Sequence, residues 1–355
     1  MSSREKAPVF VVGSARSGNT MLYHMLVSSG AFPVYRTEPV VFDLLSPRFG
    51  DFRRATVRRK LLDCWLRSRQ FRRCGVDAAT ITQKVMNDVA TPGDFLRVVM
   101  DEMARAAGYP RWAAWGPDNL LHIAEIKRQL PEAIFIHVVR DGRDVAYALD
   151  RKKFIEPLPW DRSQRLYVSA LHWMWKVRRG RRDGRRLGGD YLEVRFEDVV
   201  LKPEETLRAI SRFVSQDLDY ERVRHADIGT MGRPNTSFVE ELSASKFSPV
   251  GRWRRQLAQE KVAVLEGLIG DVLVDFGYEL TQPQSKIGAK LRFLRRVYPA
   301  FYDLKEWLKS ETPFGRFVNM NRLHLDEAES TELIVRQVAD AGLLASDLEH
   351  RTPVG

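Results

Sequence analysis

The chain has 355 residues, 44% hydrophobic and 29% charged, with 57 Lys and Arg against 46 Asp and Glu for a formal net charge of +11. That length holds one large domain with an appendage, or two domains, and the composition is that of a globular protein, not a disordered or fibrous one. No apolar run is long enough to cross a bilayer, and the positive balance favours anionic ligands or surfaces without naming one.

In chain order, MSSREKA leads directly into PVFVVG (8–13), a short β-branched run ending in Gly that reads as a buried parallel strand. No long apolar core with a cleavage site precedes it, so no signal peptide is expected. GSARSGNT (13–20) follows as a loop, and NTMLYHMLVSSG reads as a helix with Met21, Leu22, Met25 and Leu26 on one face and Gly30 as its stop. FPVYRTEPVVF carries Glu38 just beyond that helix. Cys64 and Cys74, ten residues apart in a basic stretch, show neither metal spacing nor a disulfide framework, and a reducing cytoplasm is the expected setting. EIKRQLP (125–131) closes a helix, AIFIHVV (133–139) is a strand, and RDGRDVAYALDRKK opens another helix. GDYLEVRF (189–196) is a third strand, and KPEETLRAISRFV (202–214) is a helix with Pro203 near its start. Strands alternating with helices predict a doubly wound α/β sheet. After DFGYEL (275–280) the composition shifts: TQPQSK reads as a linker, and residues 286–355 as a helical appendage.

The loop between the first strand and helix comes close to the phosphate-binding pattern GxxxxGK[ST], but the lysine position holds Asn19 and the positive charge sits at Arg16. Backbone N–H groups converging at a helix N-terminus suit an anion. Asn19 cannot supply the lysine's charge to a β- or γ-phosphate, whereas Arg16 can grip phosphate oxygens with its fork from another point on the loop. A second site lies in FIHVVRDGRDVAYAL (135–149), where Arg140 ends a strand and Asp141 and Gly142 form the turn. A kinase would use Asp141 to hold magnesium, but Arg140 beside it opposes a metal and suits a second phosphate. Two separated phosphate sites point to a 3′,5′-bisphosphorylated adenosine.

These stretches resemble the sulfotransferases that use 3′-phosphoadenylyl sulfate (PAPS), over about residues 8 to 280. GSARSGNT is similar to the family's 5′-phosphosulfate loop and FIHVVRDGRDVAYAL to its 3′-phosphate motif. YLEVRFEDVVLKPEETLRAISRFV is similar to the stretch around its Tyr-Glu-Asp-Leu motif, and VGRWRRQL (250–257) to its late Gly-x-Trp segment. The form is closest to the bacterial and Golgi branch that sulfates carbohydrates, proteins and lipids.

The resemblance implies a three-layer α/β fold with a central parallel sheet, of the P-loop NTPase-like sulfotransferase type, over residues 1–280, with a C-terminal helical extension over 281–355. It implies transfer of a sulfuryl group from PAPS to an acceptor hydroxyl or amine, leaving adenosine 3′,5′-bisphosphate (PAP), with no metal. Ala15, Arg16, Ser17, Gly18, Asn19 and Thr20 take the 5′ loop, and Arg140 the 3′-phosphate. Ala148 stands where a 3′-phosphate serine is usual, with Tyr147 or Arg143 left to compensate. Phe196 stands where a tyrosine is usual, and Lys246, Gly251, Arg252 and Trp253 take the late segment. Glu38 holds the place of the catalytic base, with His122 as its rival; His137, inside a strand, reads as a core histidine. Trp115, Gly116 and Pro117 replace the usual Lys-Thr-Pro, so the basic residue of that motif is either absent or replaced by Lys84. A kinase acting on a small molecule or nucleoside remains the alternative, and a basic nucleic-acid- or membrane-binding module without activity the third reading.

The acceptor is less defined. FRRATVRRKLLDCWLRSRQFRR (52–73) carries nine basic residues and KVRRGRRDGRR (176–186) seven. Such runs are ordinarily solvated helix faces; the sharper reading is an anionic acceptor, such as an acidic glycan, a phosphorylated lipid or an anionic membrane. In KIGAKLRFLRRVYPAFYDLKEWLK (286–309), Ile287, Leu291, Leu294, Val297 or Tyr298, Phe301, Leu304 and Leu308 recur at helical spacing around Pro299. This stripe is expected to pack on the parent domain, with peripheral membrane contact as the alternative. No nucleic-acid recognition motif accompanies the charge. The expected acceptor is a carbohydrate, lipid or lipid-linked glycan.

Overall fold

The computed structural model describes residues 3–226, 248–283 and 285–324. Four strands, β1 (Val9–Val12), β2 (Ala113–Trp115), β3 (Ile134–Val139) and β4 (Tyr191–Arg195), form one sheet in the order β2-β1-β3-β4. Every neighbouring pair is parallel; Val9 stands opposite Ala113 on one side and Ile134 on the other, and Phe135 opposite Tyr191. Every residue of β1 and β3 is buried, as the unbroken Val, Ile and Phe runs of a sheet covered on both faces require. β2 was not read from the sequence. Two of its three residues are alanine, so it carries almost no β-branched signal, and it is held by pairing with β1.

Seven helices frame the site: α1 (Asn19–Ser28), α2 (Pro92–Ala106), α3 (Gly142–Arg151), α4 (Arg165–Arg185), α5 (Pro203–Val214), α6 (Gln259–Asp275) and α7 (Ala289–Glu311). Side chains alternate across the sheet. Val9, Val11, Ile134, Ile136 and Val138 join Leu22 and Leu26 of α1 and Leu207 and Ile210 of α5 on one face. Phe10, Val12 and Phe135 join Phe95 and Leu96 of α2 with Phe42 and Trp65 on the other. Val139 continues on that second face into a cluster with Val145 and Leu149 of α3, Trp173 of α4 and Leu265 of α6. The result is helix, sheet, helix. The chain leaves β1 into α1 on one face and leaves β3 into α3 on the other. The C-terminal ends of these adjacent strands therefore form a topological switch point, where open α/β sheets place their ligands.

The basic run on α4 is largely neutralised within the fold. Lys176 pairs with Asp118, Arg178 with Asp271, Arg179 with Asp303 and Arg181 with Glu193. The run at 52–73 is amphipathic, with Leu61, Leu62 and Trp65 buried and most of its arginines exposed. Part of the expected tail stripe docks on the body: Leu294 and Tyr298 of α7 are buried in the cluster built by α4 and α6, together with Tyr302, which lay outside the expected stripe. The Tyr298 hydroxyl donates to Asp161 (2.7 Å) and accepts from the Leu158 amide (3.0 Å). Beyond α7 the chain turns back, and Leu323 enters the core beside the sheet, fully buried.

His137 sits in β3, fully buried, with Nδ1 2.6 Å from the Tyr191 hydroxyl. Burial pushes its pKa down to about 4, against an ordinary value near 6.5. The unfolded chain therefore takes up this proton first as pH falls, and stability drops across the window from about 6.5 to about 4, by on the order of 3 kcal/mol for this residue. Urea unfolding at pH 7.5 and pH 5 checks this: His137→Gln should flatten the loss, whereas an unchanged pH slope would assign it to other groups.

Candidate active site

The loop after β1 is shaped from within. Gly13 has no room for a side chain, since a Cβ there would strike the Asn19 side chain and the Val138 carbonyl. Asn19 donates its amide to the carbonyls of Ser14 (3.0 Å) and Gly13 (3.3 Å), so the residue in the lysine position is a strut inside the loop. Arg16 (φ 66°) and Gly18 (φ 96°) both adopt left-handed backbone, the geometry of a concave nest of N–H groups. For arginine that conformation is a strain of order 1 kcal/mol or more, of the kind that persists at functional sites. Gly18 caps α1 and lies against Phe196, which a Cβ would strike. The hydroxyls of Ser14 and Ser17 are buried with no hydrogen-bond partner among the described residues. Buried polar groups ordinarily have partners, and an oxyanion would supply one here. Thr20 lies in the first turn of α1, and Ala15 packs at the edge of the α3–α4 cluster.

Arg140 leaves β3 at the same edge and is almost fully buried. It donates to the Arg16 carbonyl (2.9 Å) and to the Pro249 carbonyl (2.5 Å), and lies 3.7 Å from Asp144. Its guanidinium lies 4.6 Å over the Phe196 ring. Phe196 is thus buried between Gly18 and Arg140, joining the two loops. Each terminal nitrogen of Arg140 donates one of its two protons to these carbonyls, and Nε has no partner among the described residues. The fork therefore retains donors for an anion.

The turn after Arg140 is locked. Asp141 accepts from the Arg143 amide (2.9 Å), from Arg143 Nε (3.0 Å) and Nη2 (2.7 Å), and from the Trp253 indole (3.1 Å). Arg143 also pairs with Glu266 and lies under the Trp253 ring. Burial notwithstanding, these two carboxylates raise the Arg143 pKa. Arg143, one of the two expected substitutes for the serine missing at Ala148, is thereby committed elsewhere. Ala148 itself is buried, and Tyr147 donates to Gln256 (3.3 Å). Asp144 accepts from the amides of Gly251 (2.9 Å) and Trp253 (2.8 Å), drawing the late segment onto α3. Arg252 is buried within that segment, and Lys246 lies outside the described residues. Glu197, next to Phe196, accepts from the Asp141 amide (3.0 Å) and the Tyr278 hydroxyl (2.8 Å).

Glu38 lies in the segment after α1, which Tyr23 holds to that helix: its hydroxyl donates to the Tyr35 carbonyl and accepts from the Tyr35 amide, both at 2.9 Å. The Glu38 carboxylate meets Arg322 at 2.9 Å. The same guanidinium reaches Asp43 (2.8 Å) and Asp118 (3.1 Å). Asp118 follows the end of β2, where the Gly116 amide donates to Val11 of β1 (3.3 Å). Arg322 thus gathers its carboxylates on the same sheet edge as the phosphate loop. Burial works to raise the Asp118 pKa, but Lys176 and Arg322 hold it well below the usual carboxylate range. His122, the rival base, is buried with Nδ1 3.3 Å from Glu125 and Nε2 3.6 Å from Glu306, and its ring stacks on Phe42. Lys84 pairs with Glu102 in the helical layer instead of joining this cluster. Asp43, Asp118 and Arg322 were not singled out in the sequence. Among the described residues, no His, Cys, Asp and Glu side chains group so as to hold a metal ion.

Residues 8–221 match the sulfotransferase family, and the chain belongs to that family. A protein-tyrosine sulfotransferase of Drosophila melanogaster is 26% identical over 287 residues, covering 78% of this chain and 52% of its own length. A Caenorhabditis elegans protein provisionally described as a protein-tyrosine sulfotransferase is 25% identical over 171 residues, 48% of this chain and 63% of its own. The chain therefore spans between half and two thirds of these curated relatives. Among solved structures, the sulfotransferase domain of the Synechococcus PCC 7002 olefin synthase aligns over 77% of this chain and 95% of its own, at 20% identity and a TM-score of 0.49.

Proposed function

We propose that the chain transfers a sulfuryl group from PAPS to an acceptor hydroxyl, releasing PAP. The observation that carries this is a pair of donor-lined loops at one sheet edge, locked to each other by the hydrogen bond from Arg140 to the Arg16 carbonyl. The loop with Arg16, and with the Ser14 and Ser17 hydroxyls that find no partner among the described residues, suits the 5′-phosphosulfate, and the donors left on Arg140 suit the 3′-phosphate. The kinase alternative loses its metal holder, because Asp141 is saturated by Arg143 and Trp253.

In the transfer, the acceptor oxygen forms a bond to sulfur as the bond from sulfur to the 5′-phosphate oxygen breaks. The loop amides, the α1 N-terminus and Arg16 face the charge that gathers on the sulfuryl and leaving oxygens, without having to reorganise. Glu38 takes the acceptor proton. Arg322 is a positioning residue that fixes the Glu38 carboxylate. The relatives' names add a protein tyrosine hydroxyl to the carbohydrate and lipid acceptors expected from sequence. The free thiols Cys64 and Cys74 suit the proposed cytoplasmic setting.

Arg140→Ala tests the assignment of the two phosphates. It should weaken PAP far more than adenosine 5′-phosphosulfate, which lacks the 3′-phosphate. A direct charge-assisted contact contributes about 1.5–3 kcal/mol, or roughly ten- to a hundredfold in affinity. Equal losses for both ligands, measured by calorimetry, would remove Arg140 from the 3′ site.

A further inference from the structure

Helix α7 has two apolar faces, and packing on the body explains one of them. Leu294, Tyr298 and Tyr302 are buried against the α4–α6 cluster. On the far side, Phe293, Arg296, Ala300, Leu304 and Trp307 follow one another at three- and four-residue spacing, which sets them along one helical face. Phe293, Leu304 and Trp307 are each more than half exposed, as are Phe314 and Phe317 in the turn that follows, with Phe317 at 81%. Single exposed apolar residues are ordinary, but five aromatic or leucine side chains on one helix and its following turn are not.

The charge around this strip is mainly positive, with Asp303 and Glu311 as the exposed acids. Arg292, Arg296, Lys305 and Arg316 are exposed. Of the helix's acids, Asp303 accepts from the Trp175 indole (2.9 Å) and Arg179 (3.4 Å), and Glu306 turns toward His122 and Lys309, leaving Glu311 outside. A tryptophan and phenylalanines flanked by arginine and lysine suit the headgroup region of an anionic bilayer, where rings enter the interface and cations meet lipid phosphates. We propose that the outer face of α7, continued by Phe314 and Phe317, docks this protein on an anionic membrane surface. The inner face of the same helix supplies Glu306 and Lys309 beside the Asp43–Asp118–Arg322 cluster. Docking would therefore bring the acceptor side of the site close to the bilayer.

The docking is tested with the full chain by sedimentation with phosphatidylcholine vesicles and with vesicles containing about a third phosphatidylglycerol. Binding to the anionic vesicles should be at least tenfold tighter and should weaken with salt. The variant Leu304→Ser, Trp307→Ser, Phe317→Ser should lose at least tenfold in vesicle affinity while keeping wild-type PAP affinity and melting temperature. Arg292→Ser with Arg296→Ser should remove most of the preference for anionic lipid. Wild-type protein remaining in the supernatant would overturn the proposal, as would a triple-serine variant that sediments like wild type. A concentration-dependent dimer, seen by light scattering and abolished by the same three substitutions, would overturn it in favour of a second copy on this face. The PAP measurement keeps a failure of docking distinct from a failure of the nucleotide reading.

Discussion

Glu38→Gln should lower turnover by about a hundred- to ten-thousandfold, the range for loss of an effective general base, while PAP affinity stays near wild type. Glutamine keeps the shape of the side chain and a contact to Arg322 but cannot take a proton. Glu38 lies beyond α1, and its carboxylate belongs to the Arg322 cluster, not to the phosphate loop. Arg16→Ala should behave differently. It removes charge from the loop itself and should depress both PAP binding and turnover. Arg322→Ala should leave PAP binding intact, reduce turnover and move the acid limb of the pH–rate profile to higher pH, because losing a paired cation makes a carboxylate easier to protonate. A purely structural role for Arg322 would lower activity without moving that limb, and Arg322→Lys should restore part of the effect. The measurements are PAP calorimetry and radiolabelled sulfate transfer for all four variants. Near-full turnover in Glu38→Gln would make Glu38 an acceptor-orienting residue and leave His122 as the next base to test.

Arg143→Ala should destabilise the fold by about 3–5 kcal/mol, the cost of breaking a buried ion pair and stranding its partners. Arg143 is almost fully buried and pairs with both Asp141 and Glu266. Burial alone would raise the Glu266 pKa, but hydrogen bonds from Thr281 and Gln282, together with Arg143, hold it low. Without the guanidinium, the Asp141 and Glu266 carboxylates lose their shared cation, and the turn that aims Arg140 loses its lock. Thermal and urea unfolding should show the loss in the absence of ligand. PAP affinity should fall even where the variant is still folded, because Arg140 would be left on a loosened turn. A variant as stable as wild type would mean that the carboxylates are relieved by protonation or by solvent.

The parts of the fold that are local in sequence could be read from it. The β1 loop, the Arg140 turn and the strands at 133–139 and 189–196 announce themselves through contiguous β-branched runs and glycine turns. β2 did not, because Ala113, Ala114 and Trp115 carry no pattern of their own and become a strand only beside β1. The inward turn of Asn19 was hidden for a similar reason: its partners are loop carbonyls, which have no side-chain identity. Trp253 was noticed as a motif residue, but its indole bond to Asp141 spans 112 residues. Arg322 lies 284 residues from Glu38 and about a hundred beyond the family match, and nothing in its local sequence distinguishes it from other surface arginines. Long-range ion pairing of this kind depends on where the tail lands, and only the packing of α7 on α4 and of Leu323 in the core sets that.

The central claim is that the site holds an adenosine carrying separate 5′ and 3′ phosphates. Calorimetry of the chain with PAP and with ATP, each with and without magnesium, tests it most directly. PAP should bind without metal and more tightly than ATP, and magnesium should not strengthen it. ATP binding as tightly as PAP, or more tightly, and strengthened by magnesium, would contradict it.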